Sequence, residues 1–441
     1  MSYYSVIDIP LFMFYMIIIF LFAWSYANKR LIQNRIYKYF IPGLMAHILG
    51  ALVFCLIYTF HYEGGDTVNY HNSSNTLIHL LFKNPKHFFE VWLFDSSNKC
   101  HSYFDADTGY PLYLNKINAF NVVRLMVPIE MISLGSFLVS STLLASITYI
   151  GSWKLYQLFT SLYPRLYKGF GFMILFMPSV LFWGCGILKD SFTFTAMCWL
   201  TYSFYHFFIK KERSFWYLIC LFLSIMVLLM IKPYIFVALF PSILIWKLAM
   251  TIKRIPNLFM KVFIAPLILA VGVLIGIVIW SLMSSGLGKY STLEGIVDKA
   301  YVSQNDLKQD YYNGNSFDIG EFDPTPLGML SKFPSAITAG LFRPFIWESK
   351  NLVMFVSGLE NLFFIIFFII TVLKSPYRFF NTIINQPPVL FCFIFVLIFS
   401  FAIGISTSNF GALVRFKIPL IPFFLCGLYI IYKSKELFSR E

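Results

Sequence analysis

Residues 169–209 read GFGFMILFMPSVLFWGCGILKDSFTFTAMCWLTYSFYHFFI, almost wholly apolar except for Lys189 and Asp190 near the middle. Each arm, 169–188 and 191–209, has about the 20 residues a helix needs to cross a hydrocarbon core roughly 30 Å thick. Lipid offers no partner to an unpaired N–H or C=O, so each arm is expected to be helical. A Lys-Asp pair set between two such arms is costly unless it is paired or faces a wet cavity.

The same reading extends in both directions. Apolar runs lie near 9–27, 39–60 and 129–153 before this stretch, and near 214–231, 233–250, 262–284, 353–373, 388–405 and 417–432 after it. With the two arms, that predicts about eleven membrane helices. Nothing alternates like a barrel strand. The expected fold class is therefore all-α, a polytopic transmembrane helical bundle forming a single integral membrane domain over 1–441. A composition of 58% hydrophobic and 12% charged residues, with mean hydropathy +0.71, excludes an ordinary soluble chain. No internal repeat, low-complexity segment or linker divides it.

Orientation follows from Lys and Arg, which collect in short cytoplasmic loops. Placing the N-terminus outside and the C-terminus in the cytoplasm puts 19 basic residues inside, among them Lys154, Lys210, Lys374, Arg378 and Arg440, against Glu212, Glu436 and Glu441. The external side then carries −3 and the inside +16, recovering the net +13. The basic balance is thus a topology signal and calls for no nucleic acid. Residues 1–27 lack a positive leader and a cleavage site, so the first run is expected to remain as a helix. Of the seven cysteines only Cys100 falls outside the apolar runs, which implies no disulfide framework.

Two long connections, about 61–128 and 285–352, fall on the external side, where function concentrates. Within the first, Thr76–Phe94 is apolar and interrupted by Asn84, Pro85 and Lys86, which suits short interfacial helices. Just before it, Gly64 and Gly65 allow a tight turn presenting Asp66 at the bilayer surface, followed by Tyr70 and His71. Asp66 or His71 could take a proton from a hydroxyl, and an ordinary polar helix exit explains the same residues. Lys189 and Asp190 form a second cluster. Arg343 with Glu348 forms a third, where the second long loop returns to the membrane, followed by Glu360 and Asn361 inside the next run; Arg415 and Lys417 form a fourth. Arginine presents a planar fork suited to phosphate, though Trp and Arg also serve as plain membrane anchors. Asp105-Ala106-Asp107 reads as a chance acidic motif. Asp318, Glu321 and Asp323 are acidic enough for a divalent cation, but match no calcium loop and read better as a solvated acidic segment.

Taken in order, G-G-D-x-x-x-Y at 64–70, P-S-x-x-F-W-x-x-G-I-x-K-D-S at 178–191, L-F-R-P at 341–344 and R-F-K-I-P-x-x-P at 415–422 resemble bacterial polytopic proteins of surface-polysaccharide assembly. Such proteins are similar to O-antigen-type polysaccharide polymerases and GT-C glycosyltransferases. The resemblance implies a polyprenyl-(pyro)phosphate-linked glycan as donor, used at the external face of a bacterial inner membrane. It implies an acidic residue in the first external loop, here Asp66 although it follows the second run, or else external arginines, here Arg124, Arg343 and Arg415. Arg343, Arg415 and Lys189 would stabilise charge on the departing phosphate, with Asp190 orienting Lys189. The donor is already activated, so no nucleotide cofactor is implied. A transporter or lipid-linked glycan flippase is the alternative, since buried charges among many helices also suit alternating access.

Overall fold

A computed structural model describes residues 7–94, 98–256, 258–309 and 316–438; the first six residues, Arg440 and Glu441 lie outside them. Every named element among the described residues is helical, and the strand-like pairing consists of an isolated bridge between Ser316 and Asn409. Seven helices are long and apolar enough to cross a membrane: Asp8–Leu31, Arg35–Phe60, Pro233–Lys253, Ile264–Leu282, Leu352–Lys374, Pro387–Ser406 and Phe410–Tyr432. An eighth arises if Ile117–Ile132 and Phe137–Leu162, which meet at 111°, count as one broken span. This is the profile of a multi-pass membrane protein.

The remaining expected runs take other shapes, for local reasons. The run at 129–153 is interrupted where Leu134 and Gly135 adopt positive φ, and Ser136 caps a new helix by accepting from Val139 N. The first arm of the opening stretch divides into Tyr167–Leu175 and Pro178–Trp183, because Pro178 has no N–H to continue the preceding helix. The second arm begins at Lys189 and ends in a π turn over Tyr205–Ile209. The run at 214–231 is a 17-residue apolar helix, Phe215–Ile231.

The chain gathers into two compact units, residues 1–199 with 226–232, and residues 200–225 with 233–441. In the first unit, Arg35–Phe60 packs against Phe137–Leu162 and Pro178–Trp183. A Cβ at Gly50 would strike the carbonyl of Leu181, so glycine there permits the approach. In the second unit the short helix Phe333–Phe342 lies against Pro387–Ser406, where Gly340 abuts Ser400 O and Gly404 abuts Ala336 O. Such close backbone packing is what holds helices together when the surrounding solvent is itself apolar. The outward sides carry large apolar residues, such as Phe14, Ile17, Phe22 and Trp24 on Asp8–Leu31, which is how a lipid-facing helix differs from a soluble one.

Candidate functional site

In the first unit the first long loop opens with a helix, Asp66–Lys83. Gly64 and Gly65 at φ 150° and 108° turn the chain out of the preceding span, and Gly65 is the residue before the helix. Asp66 therefore sits in the first turn, where the helix dipole favours a carboxylate. It is half-buried, and its Oδ1 accepts from the Tyr113 hydroxyl at 2.8 Å. Asn69 donates to the same phenol at 3.4 Å, and Tyr70 packs on the Tyr113 ring with centroids 4.8 Å apart. Asp66, Asn69 and Tyr70 have the i, i+3, i+4 spacing that places them on one helix face. The far end is set by Asn84, which stops this helix and caps Pro85–Phe89 by accepting from His87 N.

His71 is five residues beyond Asp66 and so points elsewhere on the helix. It is buried, with Nδ1 2.9 Å from Glu130 Oε1 and Nε2 3.2 Å from Asn75 Nδ2. A carboxylate can only accept and an amide nitrogen can only donate, so Nδ1–H donates to Glu130 and Nε2 accepts from Asn75. Ser133 Oγ donates to the other Glu130 oxygen at 3.2 Å. With both ring nitrogens engaged, His71 ties the Asp66–Lys83 helix to Ile117–Ile132.

Asp190 is buried in the first unit, 2.5 Å from Lys232 Nζ, with the two side chains 3% and 7% exposed. Gly186, just before it, packs on Phe54, and Phe54 lies six residues, or about 9 Å, before its helix ends at Phe60. The ion pair thus belongs to a turn sunk beneath the end of a spanning helix, where an unpaired charge would be most costly. Lys189 is half-buried and its carbonyl accepts from Thr193 Oγ1. Arg124 is turned inward: Nε and Nη2 donate to Val91 O at 3.2 and 2.9 Å, and Nη1 donates to Asn121 Oδ1 at 3.2 Å. It fastens the π turn Glu90–Phe94 to the Ile117–Ile132 helix.

In the second unit Arg343 directs its fork at Glu348: Nε lies 2.9 Å from Oε1 and Nη2 also reaches Oε1. Glu348 accepts from Phe345 N at 2.8 Å as well, closing the turn after Pro344. The guanidinium lies over the rings of Phe317 and Phe410, 4.7 and 5.4 Å from their centroids. Lys417 is buried and donates to Asn361 Oδ1 and, at 3.0 Å, to Arg343 O, while Asn361 Nδ2 donates to Pro344 O at 2.8 Å. Together with Phe317 N to Ser408 O at 2.8 Å, these bonds pin the second long loop to the last span. Arg415 is half-buried and Glu360 buried.

Among the described residues no group of three or more His, Cys, Asp or Glu side chains is arranged to hold a metal ion. Asp105 and Asp107 instead grip Lys83 at 2.5 and 2.7 Å, and Asp318 holds Lys308 at 3.0 Å. The Lys83 ammonium holds the exposed Asp105 carboxyl below the usual range.

Three partners escaped the sequence reading: Tyr113, Glu130 and Lys232. Glu130 and Lys232 carried a signal, each a single charge set in or between apolar stretches as Asp190 is. Tyr113 carried none, being one tyrosine among 27. Compared with family models, curated proteins and solved structures, the chain matches none.

Proposed function

We propose that this chain is a membrane-embedded glycosyltransferase or polysaccharide polymerase of a bacterial inner membrane, using a polyprenyl-(pyro)phosphate-linked sugar donor at the external face. In this reading the eleven apolar runs cross the bilayer, those that divide into shorter helices doing so as broken spans, with the N-terminus outside and the C-terminus in the cytoplasm. The observation that carries the proposal is the contrast between Asp66 and the other acidic candidates. Asp190 is enclosed with Lys232 and Glu348 is clamped on Arg343, whereas Asp66 is half-buried, accepts from the Tyr113 hydroxyl and stands at the mouth of a spanning helix. A carboxylate that is oriented yet reachable suits proton acceptance from a sugar hydroxyl. His71, with both nitrogens engaged, is a positioning residue in this scheme, and Lys189 supplies a cation for the departing phosphate. The acceptor oxygen bonds to the anomeric carbon, the bond from that carbon to the phosphate oxygen breaks, and the hydroxyl proton passes to Asp66. Neither a nucleotide nor a nucleic acid takes part; membrane lipid surrounds the chain.

A second reading, transport of a lipid-linked glycan, is favoured by the buried Asp190–Lys232 pair at a break between short helices. The deciding experiment is a cell-surface glycan gel on a deletion strain carrying wild type, Asp66→Asn or no gene, with membrane levels of each protein matched. Wild type is expected to restore long chains, and Asp66→Asn to accumulate lipid-linked single units at the external face with transfer slowed by at least about 100-fold. An unchanged glycan profile with Asp66→Asn overturns the proposed role of Asp66. Lipid-linked units trapped at the inner face would instead mean transport.

A further inference from the structure

The short helix Pro376–Asn385 connects two helices of spanning length, Leu352–Lys374 and Pro387–Ser406, so it lies at a membrane face. At 10 residues and about 15 Å it is too short to cross. Tyr377, Phe380 and Ile384 are 79%, 62% and 70% exposed, and at about 100° per residue they form one narrow stripe. Phe379 and Thr382 lie on the opposite side and are buried; the Phe379 ring is 5.9 Å from Phe368 and 5.6 Å from Phe393. Arg378, Asn381 and Asn385 fall between the two stripes. This is the cross-section of a helix lying in the headgroup boundary, with its apolar stripe toward the acyl chains and its polar flank at phosphate depth.

That polar flank opens on a recess of about 20 Å³ lined by Lys374, Ser375, Arg378, Tyr432, Ser434 and Lys435. At that size the recess is a shallow dent with room for little more than one water molecule, far below the roughly 300–1,000 Å³ of a pocket that encloses a small molecule, so an anionic group would seat across its open mouth. Three cations and two serine hydroxyls meet there, with no carboxylate in the lining among the described residues. The nearby Glu436 is held by Lys433 at 2.6 Å. Lys374 is anchored by donating to Tyr432 O at 3.3 Å and lies 3.7 Å from the Tyr432 ring centroid. Among the described residues neither Arg378 nor Lys435 has a carboxylate partner. Converging cations left without anions, beside a stripe that must sit in lipid, call for an anion that arrives with the membrane.

We infer that this recess binds the phosphate of an anionic phospholipid headgroup, with Arg378 forking the phosphate oxygens, Lys374 and Lys435 neutralising it, and Tyr377, Phe380 and Ile384 seated among its acyl chains. The inference is independent of what reaction the protein performs. It also assigns the face: on the charge distribution of the loops, this is the cytoplasmic leaflet.

The test uses the full chain in nanodiscs of phosphatidylcholine alone, of phosphatidylcholine with about one-third phosphatidylglycerol, and of phosphatidylcholine with added inorganic phosphate. Thermal unfolding and the lipid retained in native mass spectrometry are the readouts. Phosphatidylglycerol should stabilise the wild type and be retained, and inorganic phosphate should reproduce neither effect. Lys374→Ala, Arg378→Ala and Lys435→Ala should each weaken retention about fivefold, the worth of one interfacial cation near 1 kcal/mol. Lys433→Ala, whose cation is already paired, should retain phosphatidylglycerol as wild type does. Equal retention by the triple variant overturns the site, and full stabilisation by inorganic phosphate alone overturns the lipid as its occupant. All three substitutions are at exposed positions, so loss of folding does not obscure the result.

Discussion

Two ion pairs in the first unit have the same length and opposite meaning. Lys232–Asp190 and Lys83–Asp105 both close to 2.5 Å. The first pair is 7% and 3% exposed, the second 42% and 49%. Distance alone would rank them equal, but water decides otherwise. Around Lys83 and Asp105 solvent already stabilises each charge, so the contact replaces hydration with little gain. Around Asp190 hydration is gone, and each member becomes the other's necessary solvent. The inner pair is thus a condition of the fold, while the outer one is a detail of the surface.

Breaking the inner pair is the largest expected effect. Asp190→Ala or Lys232→Ala alone should cost about 3–5 kcal/mol, because each leaves a buried charge without its counterion. The double change Asp190→Leu with Lys232→Leu should recover most of that loss, since it removes both charges together. Thermal unfolding of the four proteins in one detergent checks the cycle, and a double variant as unstable as the worse single would show the pair is not the cause.

A case of middle exposure sharpens the comparison. Glu212 receives Lys210 at 2.6 Å and His206 at 2.6 Å, with its side chain 38% exposed. The bond from Lys210 is the first cause holding its carboxyl down at about 2, with burial opposing and His206 adding to the lowering. Because the folded value lies below the ordinary one of 4.5, this contribution is fully present above about pH 4.5 and lost as pH falls toward 2. Solvent screening at that exposure limits it to less than about 1 kcal/mol. Acid titration of wild type against Glu212→Gln should show the variant lacking this part of the slope. Identical slopes would remove Glu212 from the account.

The smallest effect belongs to the outer pair. Lys83→Ala should leave thermal stability unchanged within error, and any difference from wild type should vanish in high salt, which screens exposed charges. A salt-resistant loss would mean the 105–108 turn depends on this lysine.

The comparison also shows how much could be read in advance. Helical membrane character was legible because lipid makes a local demand on every peptide group, and Asp190 stood out because its neighbours are apolar. The opening stretch was less legible in length: two apolar arms looked like two clean spans, yet Pro178 and the Gly184–Gly186 turn leave short helices packed on Phe54. The turn that presents Asp66 at the start of a helix was legible from its glycines. His71 looked equally available, and Arg343 looked suited to phosphate, because nothing nearby in sequence reveals Glu130 or the aromatic walls of Phe317 and Phe410.

By itself, then, the sequence determined that this protein is helical, apolar enough to cross a membrane repeatedly, and obliged to neutralise the charges it carries into that setting. Only the tertiary structure decided with whom: Asp190 with Lys232 across 42 residues, His71 with Glu130 across 59, Lys417 with Asn361 across 56. The physical reason is that solvation by lipid or water is imposed residue by residue, whereas a hydrogen bond exists only where folding brings two distant groups within about 3 Å.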